Sequence, residues 1–61
     1  MPMREFISNR SAELAGSLAA SKHPGAFHRV ERRSRINADR TMDLFYVVKL
    51  FDKRGQVIGA V

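Results

Sequence analysis

Apolar residues crowd the last third of the chain. Met42-Asp43-Leu44-Phe45-Tyr46-Val47-Val48-Lys49-Leu50-Phe51-Asp52 is followed by Lys53-Arg54-Gly55 and then by Gln56-Val57-Ile58-Gly59-Ala60-Val61. Two strands, 42–52 and 56–61, joined by a tight turn account for this pattern. Asp52 suits the first position of a type I turn and Gly55 the fourth, where glycine takes φ > 0 and realigns the turn with the strand twist. Counting back from the turn pairs Phe51 with Val57, Leu50 with Ile58, Lys49 with Gly59 and Val48 with Ala60. Side chains alternate along a strand, so the hairpin has two faces. Leu44, Tyr46, Val48, Leu50, Ile58 and Ala60 form one. Phe45, Val47, Lys49, Phe51, Val57, Gly59 and Val61 form the other. A sheet with one wet side alternates apolar and polar residues. This hairpin does not, so both of its faces are expected to be covered.

Upstream, residues 3–22 carry a helical period. Met3, Ile7, Leu14 and Leu18 fall on one stripe, with Phe6, Ser11 and Ala15 beside it, which predicts a helix turning that stripe to the core. Pro2 suits a first turn, and Glu5 and Lys22 suit the two ends of the helix dipole. A later start capped by Ser8 or Asn9 is the competing reading. Ala12, Gly16 and Ala20 make a row of small residues, read first as room for the helix to lie close to a sheet and second as a contact between helices of two copies. His23-Pro24-Gly25 ends the helix, because the residue before proline avoids the α region and Gly25 lets the chain turn. Residues 27–36 form a further strand. Its two parities are Phe27, Arg29, Glu31, Arg33 and Arg35, and His28, Val30, Arg32, Ser34 and Ile36. The second set is the better candidate for the helix side. Asn37-Ala38-Asp39-Arg40-Thr41 is a turn by composition. The expected architecture is α+β, a single domain over 1–61 with the helix packed on a three-stranded antiparallel meander in the order α-β-β-β.

Size changes this picture. A chain of 61 residues buries only about 60% of its unfolded surface, and folds of this size commonly add a disulfide, a metal or a partner chain. The sequence has no cysteine and two histidines, His23 and His28. Disulfides and thiolate sites are therefore excluded, and no metal or other cofactor is expected. A homodimer is the remaining device, with Phe45, Val47, Phe51, Val57 and Val61 as the expected dimer or partner interface. The chain stops at Val61 inside an apolar strand, which predicts either another chain beside that strand or a longer parent protein. No run approaches the roughly 18 apolar residues of a membrane span, and the N-terminus lacks the apolar region of a secretory signal. No membrane partner is expected, and a cytoplasmic location is.

The formal net charge is +5. Arg29, Arg32, Arg33, Arg35 and Arg40 lie within twelve residues, and Lys53 and Arg54 sit at the hairpin tip. Guanidinium groups offer forked donors to phosphate oxygens, so these seven residues are the candidate nucleic-acid contacts. The expected mode is largely sequence-independent and salt-sensitive. Phe27 and His28 are the candidates for base stacking; Phe27 is the one aromatic inside the basic segment, with Phe45, Tyr46 and Phe51 assigned to core or interface. The bland reading of the same arginines is a charged edge strand protected from aggregation. The alternative function is a protein–protein interaction module, an inhibitor or accessory protein of phage or mobile-element type, which docks through the apolar hairpin face and meets an acidic partner with its arginines. No catalytic residue is assigned. The sequence holds no nucleophile-elbow pattern and no phosphate-binding glycine loop, and the domain is expected not to be an enzyme.

Overall fold

The computed structural model describes residues 3–61. Its elements are α1 (Asn9–Ala20), β1 (Phe27–Ile36), β2 (Met42–Phe51) and β3 (Val57–Ala60), in one antiparallel sheet of order β1-β2-β3. The α-β-β-β order and the three-stranded meander agree with the sequence reading. The body is elongated, with extents of 44 × 20 × 17 Å and a radius of gyration of 12.9 Å, against about 10.5 Å for a compact chain of this length. Ten-residue strands run about 33 Å and a twelve-residue helix about 18 Å, so the β1–β2 ribbon extends well past α1.

The helix begins at the later of the two sites considered, not at Met3. Ser8 is the N-cap, and its Oγ accepts a hydrogen bond from the Ser11 N–H at 3.1 Å. Phe6, two residues earlier, is claimed by the sheet. Phe6 and Tyr46 exchange both backbone bonds at 2.8 Å, which satisfies a stretch of the β2 edge that β3 is too short to reach. Glu5 consequently lies outside the helix, and its carboxylate receives Arg35. At the other end the Ser21 hydroxyl donates to the Leu18 carbonyl at 2.6 Å. The chain then reverses through Gly25 at φ +77°.

The inward side of α1 differs from the expected stripe. Ala12 and Gly16 are buried, whereas Leu14 and Leu18 are exposed. The row of small residues faces the sheet, which the first reading of that row anticipated. A β-carbon on Gly16 would stand 2.4 Å from His28 Cδ2 and 2.9 Å from Val48 Cγ1. The sheet supplies the bulk at this contact and the helix supplies the space, so leucines on the same side would not fit. Phe6, Ala12 and Val48 form the core, with Ala15, Val30, Tyr46 and Val61 packed against it.

The turn at Asp52–Gly55 forms as expected. The Gly55 N–H donates to the Asp52 carbonyl at 3.0 Å, and Gly55 has φ +86°. Asp52 Oδ1 accepts from the Arg54 and Gln56 N–H groups, each at 2.9 Å. Phe51 pairs with Val57, but Leu50 pairs with Gly59 and Lys49 with Ala60. Ile58 is thus an extra residue in a bulge, and the three other expected pairings shift by one. The Val61 N–H donates to the Val48 carbonyl at 3.2 Å, and Val61 packs on the core side, not on the second hairpin face. Among the described residues no helix is long and apolar enough to cross a membrane.

Candidate nucleic-acid interface on the open sheet face

The helix covers one side of the sheet and leaves the other open. Register fixes what the open side carries. Phe27 stands opposite Phe51, Arg29 opposite Lys49, Glu31 opposite Val47, Arg33 opposite Phe45 and Arg35 opposite Asp43. Phenylalanines and cations therefore share one surface, with the Glu31–Val47 rung at its middle. The Phe27 and Phe51 rings stack, with centroids 5.2 Å apart and planes 13° from parallel. The Arg29 guanidinium lies 5.6 Å from the Phe51 ring centre and that of Arg35 lies 5.0 Å from the Phe45 ring centre. Arginine stems and guanidinium planes lie readily over aromatic faces.

Carboxylates on the same surface order these cations. Glu31 accepts from Arg33 Nη2 at 2.8 Å and stands 3.3 Å from Lys49 Nζ. The Arg33 and Lys49 hydrogen bonds hold the Glu31 carboxyl below its usual range. Arg35 binds Glu5 at 3.1 Å and approaches Asp43 at 3.9 Å. The bond to Glu5 raises the Arg35 pKa further. All these groups face water, so each pair contributes little to stability. Their effect is positional, keeping the cations extended over the strands. Val47 is only 2% exposed on this face, with Glu31 across the ladder and Phe45 and Lys49 beside it on β2.

The seven basic candidates do not form one patch. Arg29, Arg33 and Arg35 share the open face. Arg32 projects on the helix side, opposite Tyr46, and lines a depression of about 310 Å³ with Arg33, Ser34, Met42 and Leu44. Arg40 lies in the β1–β2 turn at φ +71°. That turn is held by Asp39 Oδ1, which accepts from the Thr41 hydroxyl at 2.6 Å and from its N–H at 3.1 Å, an arrangement that depresses the Asp39 carboxyl pKa. Lys53 and Arg54 occupy the opposite end of the sheet, where the Lys53 Cβ lies beside Gly25. Among the described residues, Arg29, Arg32, Arg40, Lys53 and Arg54 have no carboxylate within 4.0 Å.

Of the expected interface residues, Phe45, Val47, Phe51 and Val57 share the open face and Val61 does not. The basic candidates omitted Lys49, and the stacking candidate Phe27 stood without its partner Phe51. The signal for both was the parity of β1 and β2, which puts Phe27 and Lys49 on the surface of Arg29 once the strands pair in register. Among the described residues no three histidine or carboxylate side chains converge as metal ligands. No family model, curated protein or solved structure matches this chain.

Proposed function

We propose that this protein binds nucleic acid along the open sheet face, with Arg29, Arg33 and Arg35 addressing backbone phosphates and Phe27 offering its ring to a base. The observation that supports this reading is that Phe27, Phe51 and Phe45 share one sheet face with Arg29, Lys49, Arg33 and Arg35. Half-exposed Phe27 already stacks on Phe51, and a base added to its outer side extends that stack. Base–aromatic stacking is worth about 1–3 kcal/mol per base and tolerates any sequence. The guanidinium groups bring forked donors within reach of the flanking phosphates. A net charge of +5 draws a polyanion from a distance. Arg40 at one end and Lys53-Arg54 at the other extend the basic track beyond the face.

Glu31, Glu5 and Asp43 offset part of the charge, so affinity is modest and falls steeply with salt. Fluorescence anisotropy with a labelled single-stranded oligonucleotide, titrated between 25 and 300 mM salt, tests this. Log affinity is expected to fall linearly with log salt, by about 0.7 per phosphate contacted. Arg29→Gln with Arg33→Gln weakens binding at every salt concentration, and Phe27→Leu weakens single-strand binding without changing the salt slope. Absence of binding by the wild type at 25 mM salt removes the proposal.

A second reading has its own support. β1 is an edge strand of ten residues, open on its outer side to pairing with a strand of another protein, and its arginines suit an acidic partner. Poly-glutamate of matched charge separates the two. Competition as strong as that of the oligonucleotide favours the acidic protein, and weak competition favours nucleic acid.

A further inference from the structure

Among the described residues, two apolar surfaces on the helix side are exposed. On the outer side of α1, Leu14 and Leu18, one turn apart, are 65% and 64% exposed. Past Tyr46, the helix-side positions of the ribbon are Ser34 and Ile36 on β1 and Met42 and Leu44 on β2. Ile36 is 78% exposed and Met42 60%. One helix covers about half the length of a ten-residue strand pair, so the bare half has room for one more helix. The chain exposes 4833 Å², whereas a folded monomer of 6.9 kDa exposes about 4,000 Å². The excess, on the order of 800 Å², is the area each partner brings to a standard protein–protein interface.

We propose that a second copy of this chain covers both surfaces at once across a two-fold axis, with Leu14 and Leu18 of each copy packed on the Ile36, Met42 and Leu44 surface of the other. A two-fold operation applies each contact twice, so two unlike patches on one chain are both satisfied without a further component. The depression beside Met42 and Leu44 receives a leucine in this arrangement. Two helices are sandwiched between two sheets, and both open faces with Phe27, Arg29 and Lys49 remain outside. The dimer is therefore independent of the nucleic-acid reading. It also differs from an interface built on Phe45, Val47 and Phe51, which lie on the opposite side of the sheet.

Sedimentation equilibrium up to 1 mM protein tests the assembly. The expected wild-type mass is twice 6.9 kDa. Leu18→Glu and Met42→Glu are expected to sediment as monomers, while Phe51→Glu leaves the dimer in place. The chain has no cysteine, so Leu18→Cys and Met42→Cys variants are cleanly cross-linkable and serve where a charged variant fails to fold. Mixed and oxidised, they are expected to form the mixed disulfide dimer at least tenfold faster than either forms its own. A monomeric wild type at 1 mM, a dimer that survives both glutamate variants, or a mixed cross-link no faster than the homotypic ones overturns the proposal. So does a stable complex in which a different protein covers Leu14 and Leu18 of a monomeric chain.

Discussion

Gly16 of α1 and His28 of β1 meet so closely that a β-carbon on the glycine would stand 2.4 Å from the imidazole Cδ2. The ring is held there by its Nε2, 2.8 Å from Glu13 Oε2 one turn earlier on the helix. Replacing an exposed mid-helix glycine by alanine ordinarily gains about 1 kcal/mol. Here the added methyl pushes against a tethered ring and against Val48, and overpacking costs about 1–3 kcal/mol. Gly16→Ala is therefore expected to lower stability in urea unfolding, and Gly16→Ala with His28→Ala to recover much of the loss. A Gly16→Ala protein more stable than wild type would show that the helix does not lie this close.

The two hairpin glycines are expected to respond in opposite directions. Gly55 has φ +86°, where a side chain is strained, so Gly55→Ala loses about 1 kcal/mol. Gly59 has nothing within 4 Å of a built β-carbon and lies within β3. Gly59→Ala is neutral or gains up to about 1 kcal/mol. Thermal unfolding of the pair reads the contrast, and equal effects would place the turn elsewhere.

The bulge at Ile58 decides which of the last two residues faces the core. Val61 packs there and Ala60 is exposed. Val61→Asp is expected to cost roughly 1–3 kcal/mol through burial of a polar group, and Ala60→Asp little. The reverse order in denaturant midpoints would restore the unbulged register.

Acid sensitivity follows from Glu31. Its folded-state pKa lies below the ordinary 4.5 because Arg33 and Lys49 hydrogen-bond the carboxylate. A depressed carboxylate stabilises the fold fully above its unfolded value and loses that contribution as pH falls through the folded value. The loss begins near pH 4.5 and grows below it. Glu31→Gln is expected to flatten this limb of the stability–pH curve, by a small amount because the pair is solvent-exposed. Asp39, held down by Thr41, contributes in the same direction from the ordinary 3.8. An unchanged acid limb in Glu31→Gln would show that the ion pairs do not persist in solution.

The sequence by itself determined the order of elements, the limits of β1 and the turn at Asp52–Gly55. Each of these is local, set by alternation, by a proline stop, or by a glycine at positive φ. Within β1 and β2 it also determined which side chains share a face, since parity there needs no partner. Only the tertiary structure decided which side of α1 goes inward. A helical period identifies a stripe but not its neighbour, and against Tyr46, Val48 and His28 the small residues fit where Leu14 and Leu18 do not. Tertiary pairing likewise drew Phe6 out of the helix to Tyr46, moved Val61 to the core through one bulged residue, and brought Phe27 onto Phe51. These outcomes depend on contacts between residues as far apart as Phe6 and Tyr46, whose geometry no short window of sequence contains.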